Sequence, residues 1–250
     1  GALKIFLLLN GDNHPAVATS YSYIGQIYFA QNDYSKALDY FKKSLNLDLS
    51  FFGENHPEVA SGYYNIGYVY FAQGDYSKAL EYFEEVLKIR LSVYGENHSR
   101  VASVYNDIGE IYSVQGDDFK ALDYFKKSLK IVLSVYGENH SQVSSIYDHI
   151  GEVYFAQKDY SKALYYFEES LKIRLSLFGE NHPEVALSYY SIGSLYIIQG
   201  DKSKALNYYE KSLKIRLSVY GENHPLTKEI MDLINVAANS KVLQSPETTK

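Results

Sequence analysis

Gly53–Tyr94 reads GENHPEVASGYYNIGYVYFAQGDYSKALEYFEEVLKIRLSVY, and most of the chain is this stretch repeated. The opening Gly-Glu-Asn-His stands at Gly53, Gly95, Gly137, Gly179 and Gly221, with Gly-Asp-Asn-His at Gly11. Each quartet lies 42 residues after the one before it, with no insertion. A fixed period of this size means an array of one supersecondary unit, each copy burying its apolar faces against its neighbours.

Within the unit the spacing predicts two amphipathic helices. The first covers roughly Pro57 to Gln73, with Pro57 at the first helical position, where no N–H is needed. Val59, Tyr63, Ile66 and Tyr70 keep helical spacing along it. Gly74 ends it in the manner of a left-handed C-terminal glycine. Asp75 is placed to cap a second helix, which carries Ala79, Tyr82, Phe83, Val86 and Leu87 and runs to Gly95. Connections this short require the two helices to lie antiparallel.

Several columns hardly vary. Ile24, Ile66, Ile108, Ile150 and Ile192 are each followed by glycine, and a tyrosine comes three residues after that glycine. The second helix always has alanine, at Ala37, Ala79, Ala121, Ala163 and Ala205, with Phe41, Phe83, Phe125, Phe167 or Tyr209 four residues on. Mid-helix glycine costs about 1 kcal/mol against alanine, so its recurrence predicts a helix packed too close for a side chain. The run Ile66-Gly67, Tyr70, Gly74-Asp75-Tyr76, Ala79, Phe83 resembles the tetratricopeptide repeat. The 42-residue period with the LKIRLSVYGENHPEVA extension resembles that family's kinesin light chain subclass. The resemblance implies an all-α, right-handed superhelix whose first helices line a concave groove.

The ends depart from the period. Leu3 falls in the column of Leu45 and Leu87, so residues 1–10 read as the end of a second helix from a preceding repeat. With no initiating methionine, the chain reads as part of a longer array, not as a secretory leader. Ile5, Phe6, Leu8 and Leu9 would then be an open apolar edge, and such edges predict end-to-end association. Five full units occupy 11–220, a terminal capping helix is expected over Leu226 to Ala238, within 221–238, and 239–250 reads as a tail without period. The turn glycine is Asn32 in the first unit and Lys158 in the fourth. Lysine resists the left-handed conformation, so that turn is expected to be strained or differently shaped.

A net charge of −6 argues against nucleic acid. No run of eighteen apolar residues is present to span a membrane. The chain has no cysteine, which suits a reducing, cytoplasmic compartment and excludes thiolate chemistry. Of the 7 histidines, six sit in the opening quartets. Repeats stacked two helices apart separate them by roughly 16–20 Å, too far for one metal, so the turn reading is preferred. No metalloprotease, nucleotide-binding or nucleophile-elbow pattern occurs, and neither an enzyme nor a cofactor is expected.

The resemblance implies that ligand contacts come from the columns just before and just after Ile-Gly. These are Ser22, Tyr23 and Gln26; Tyr64, Asn65 and Tyr68; Asn106, Asp107 and Glu110; Asp148, His149 and Glu152; Tyr190, Ser191 and Ser194. They vary while their neighbours stay fixed, either as freely drifting solvated positions or as a binding surface. From these columns the candidate peptide-binding residues are Tyr23, Tyr64, Asn65, Tyr68, Asn106, Asp107, Glu110, Asp148, His149, Glu152 and Tyr190. None of the fifteen positions is lysine or arginine, so the Lys/Arg clamp with which some family members hold an acidic C-terminus is missing. Kinesin light chains hold peptide backbone with asparagines in the two columns before Ile-Gly, and only Asn65 and Asn106 match. The expected partner is an extended peptide, basic and aromatic, drawn to four solvent-facing acids. The alternative is a regulatory or sensing region of a larger protein.

Overall fold

A computed structural model describes residues 14–239, and eleven helices follow one another there. They are α1 (Pro15–Ala30), α2 (Tyr34–Phe52), α3 (Pro57–Ala72), α4 (Tyr76–Tyr94), α5 (Ser99–Val114), α6 (Asp118–Tyr136), α7 (Ser141–Ala156), α8 (Tyr160–Phe178), α9 (Pro183–Ile198), α10 (Lys202–Tyr220) and α11 (Pro225–Asn239). No strand occurs among the described residues. The chain divides into two compact parts, the first ending at Val135 and the second beginning at Tyr136. The apolar edge expected at Ile5, Phe6, Leu8 and Leu9, and the tail beyond 239, lie outside the described residues.

Each helix start is specified by residues next to it. At the first helices a quartet histidine is the N-cap: His56 Nδ1 accepts from the Glu58 N–H at 3.2 Å, and Pro57 follows at the first position. The imidazole also stacks on the last aromatic residue of the preceding helix, His56 on Phe52 at 4.1 Å between ring centres and His140 on Tyr136 at 4.2 Å. At the second helices the cap is aspartate. Asp33 accepts from the Lys36 N–H at 3.2 Å and pairs with Lys36 Nζ at 2.6 Å. That lysine holds the Asp33 carboxyl below its usual range, first through its side chain and then through its N–H.

The turn before each of these aspartates is left-handed. Gly74 has φ 77°, and the non-glycine residues at the same place, Asn32 and Lys158, have φ 59° and 61°. Of the two expectations for the fourth turn, the structure shows the strained one: the turn keeps the shape of the others with lysine in the left-handed region, and its Asp159 still caps α8.

Within each repeat the first helix packs on the second through the glycine column. A Cβ at Gly25, Gly109, Gly151 or Gly193 would lie 2.7 Å from the ring of Phe41, Phe125, Phe167 or Tyr209 respectively. Gly67 is looser, its Cβ position 3.1 Å from Tyr82 Cβ. The alanine column is fully buried beside these rings. Buried serines add hydrogen bonds: Ser44, Ser128 and Ser212 donate to the carbonyls of Ala18, Ala102 and Ala186 at 2.7–2.8 Å. Consecutive repeats join where a second helix packs on the next first helix, α2 on α3, α4 on α5, α8 on α9 and α10 on α11. At the last of these junctions α11 packs on α10, and its Thr227 and Ile230 are buried.

Candidate peptide-binding site

The variable columns divide between the two compact parts. In the first, α1 presents Tyr23, 62% exposed, and α3 presents Tyr68, 44% exposed. Between them Asn65 Nδ2 donates to Ser22 Oγ at 3.4 Å, tying the two first helices together. A recess of about 180 Å³ lies there, lined by Gln26, Phe29, Phe41, Tyr64, Asn65 and Tyr68. Tyr64 is half-buried. Its ring lies parallel to that of Tyr68, 6.3 Å between centres, and edge-on to Phe83 at 5.4 Å.

On α5, Asn106 Nδ2 donates to Glu110 Oε1 at 2.6 Å. Asp107 turns inward, where its Oδ2 is buried without a hydrogen-bond partner. Burial, reinforced by the Glu110 carboxylate, pushes the Asp107 carboxyl up to about 7, against the opposing pull of the Tyr64 hydroxyl and of Arg90. Asp107 is thus not the solvent-facing acid expected from its column.

The second part corrects the expectation more sharply. Asp148 pairs with Arg174 Nη2 at 2.7 Å, and the same guanidinium reaches Glu184 Oε2 at 3.1 Å and Ser188 Oγ at 2.8 Å. Arg174 is only 5% exposed. Burial still raises the Asp148 carboxyl, opposed chiefly by Arg174. Burial lowers the His149 imidazole, opposed by Glu152 and Asp148. Glu152 is the exposed acid of this group. On α9, Tyr190 donates to Glu229 Oε1 at 3.1 Å and lies 4.9 Å beneath the Arg216 guanidinium.

Arg90 in the first part, and Arg174 and Arg216 in the second, therefore share one sequence column, and each faces first helices from a second one. This column lies outside the columns that the resemblance assigns to ligands. One signal for it was readable: Arg90 continues the inward face Ala79, Phe83, Val86 at helical spacing, where a solvated charge would not be placed.

The quartet histidines serve as caps in this arrangement. Among the described residues no group of three or more His, Cys, Asp or Glu is placed to hold a metal ion, and no helix is long and apolar enough to cross a membrane.

The model of the tetratricopeptide repeat matches the sequence five times, at residues 1–50, 40–92, 58–133, 100–176 and 142–218. The chain belongs to the tetratricopeptide repeat family. No curated protein sequence matches it. Solved structures similar to this tetratricopeptide array include BtubC (BKLC) from P. vanneervenii, at 22% identity, 90% of this chain, 89% of that one and a TM-score of 0.75. A kinesin-light-chain-type protein with nearly identical TPR-like repeats from Podosopora anserina matches at 16% identity, 83% and 98% coverage and a TM-score of 0.69. The Rap conjugation gene regulator of plasmid pLS20, in complex with the Phr* peptide, matches at 17% identity and a TM-score of 0.68. That match covers 89% of this chain and 59% of the regulator. At these identities the likeness is one of fold.

Proposed function

We propose that this tetratricopeptide array is a protein-interaction module that holds an extended peptide across its first helices, and that it is not an enzyme. The observation that carries this reading is the exposed ring of Tyr68 on the wall of an apolar recess that Phe29, Phe41 and Tyr64 also line, with a second exposed ring, Tyr23, on the neighbouring first helix. Large aromatic side chains left in water beside a recess are the usual anchors of a binding surface. The fold-level likeness to a regulator seen with a bound peptide agrees with it.

The preferred ligand is basic and aromatic. Its attraction rests on Glu110 and Glu152, with Asp107 contributing only when ionised, because Arg174 already neutralises Asp148. Asn65, bonded to Ser22, and Asn106, bonded to Glu110, are the amides of these columns that would meet a peptide backbone, and His149 and Tyr190 extend the same columns. A second reading is a regulatory segment of a larger protein, with which the fold-level likeness to a conjugation gene regulator agrees.

A displayed random-peptide library tests the proposal. Enrichment of Lys- or Arg-bearing sequences with aromatic residues is expected, weakening as salt rises because solvent-facing charges are screened over roughly 8–10 Å. Tyr23→Ala with Tyr68→Ala should weaken the selected peptides at least about tenfold, in line with aromatic hot spots. No enrichment, or equal binding by the double variant, overturns the reading.

A further inference from the structure

One column of the second helices reads Asp48, Arg90, Val132, Arg174 and Arg216 at the 42-residue period. Where it is arginine, the side chain fills the crevice between the first helix of its own repeat and the first helix of the next. Arg90 lies 5.3 Å over Tyr64 of α3 and donates to the Arg100 carbonyl at 2.8 Å and Ser103 Oγ at 3.0 Å, both on α5. Arg174 spans from Asp148 on α7 to Glu184 and Ser188 on α9. Arg216 lies over Tyr190 on α9 and donates to the Leu226 carbonyl on α11 at 2.6 Å. Each crevice is thus a seat for a planar guanidinium held from two helices, by acceptors on both at Arg174 and by a ring on one and acceptors on the other at Arg90 and Arg216.

The first repeat has the seat without the arginine. Asp48 stands in its column, 8% exposed. The crevice between α1 and α3 is a cavity of about 400 Å³, lined by Thr19, Ser22, Tyr23, Asp48, Glu58 and Asn65 among others, with no lysine or arginine in its wall. Glu58 holds the column of Glu184, which accepts from Arg174 in the fourth repeat. Gly62 holds the column of Ser188 and leaves more room there. Burial and the nearby Glu58 charge push the Asp48 carboxyl up to about 6, against a smaller opposing pull from the neighbouring Ser44 hydroxyl. Two acids facing one cavity are relieved by a cation, and a guanidinium satisfies two carboxylates with directed N–H bonds better than an ammonium does.

We infer that this crevice receives an arginine side chain of the bound peptide, between Asp48 and Glu58, with Tyr23 at the mouth. The inference rests on the peptide-binding reading and names the side chain that its first-repeat end selects.

The test uses N-acetyl-arginine amide, with the lysine and citrulline amides beside it, followed by NMR of backbone amides around Asp48, Glu58 and Asn65. Saturable shifts with the arginine compound and none with citrulline are expected. Asp48→Asn should weaken arginine binding at least about tenfold, as when a charge-assisted bond becomes neutral. Asp48→Arg, which installs the side chain of the other repeats, should abolish it while helicity is unchanged. Citrulline or lysine binding as well as arginine, or Asp48→Arg binding as the parent does, overturns the inference. Peptides selected equally by the parent and by Asp48→Arg, without arginine preference, overturn it too while leaving the peptide-binding reading intact. Saturable arginine binding beside an unenriched library sustains this site and sinks that reading.

Discussion

Asp107 carries an ionisable group into a place that cannot easily solvate it. Its carboxyl is raised from an ordinary 3.8 to about 7, so the folded chain holds a proton there that the unfolded chain releases near pH 4. The resulting stability is complete below about pH 4 and is lost as the pH rises through 7. The groups facing Asp107 are Glu110 on its own helix, Tyr64 on α3 and Arg90 on α4, and Arg90 limits the rise. Asp107→Asn should therefore be more stable than the parent at pH 8, by about 2 kcal/mol once partial solvent access is allowed for. At pH 4 the two should be nearly equal, and urea melts at both values check this. The position of Asp107 next to Ile-Gly was legible in the sequence, but its surroundings were not. Its depth depends on Tyr64 and Arg90, which lie 43 and 17 residues away in a different register. The burial of Asp148 is hidden for the same reason, because its partner Arg174 belongs to the second-helix pattern. The glycine column was readable because its cause, a ring sixteen residues on in the same repeat, recurs with every period.

Helix boundaries were the most legible level, since every cap lies within a few residues of the helix it starts. The terminal helix, expected over Leu226 to Ala238, extends from Pro225 to Asn239. The fourth turn shows where residue preference yields to context. Lys158 adopts φ 61° because the α7 C-terminus and the Asp159 cap are both satisfied only by a left-handed residue there. The Lys158 N–H donates to the Phe155 carbonyl and the Asp159 N–H to the Tyr154 carbonyl, both at 2.9 Å, as at Gly74 and Asp75. For a non-glycine residue this conformation costs roughly 1–2 kcal/mol. Glycine recovers part of that and loses some through its freer unfolded chain. Lys158→Gly should thus gain about 1 kcal/mol in thermal or urea unfolding, with unchanged circular dichroism. Asn32→Gly, starting from a residue that tolerates the conformation, should gain less. A loss of stability in Lys158→Gly would mean that the lysine side chain holds the turn by contacts of its own.

At the scale of the molecule, the repeats of each compact part add in series, each contributing its own core and a junction to the neighbour within that part. Excising residues 53–94 removes one whole period and leaves the downstream repeats in register. The shortened chain should keep its helicity per residue and melt several degrees lower, as expected for a smaller array with fewer junctions. A fall in helicity beyond proportion, seen by circular dichroism, would show that the second repeat holds up more than its share. The buried serine bonds carry another consequence. Ser44, Ser128 and Ser212 each close a loop of 26 residues, and the Asn65–Ser22 bond between repeats closes one of 43. Such short loops mean low contact order and fast closure. Synthesis at about 5–20 residues per second therefore releases a complete helix pair every few seconds. Each pair has all its own partners at hand before the next leaves the ribosome, so near-identical repeats are made one at a time. A nascent chain meets few identical competitors for the junction it is about to form.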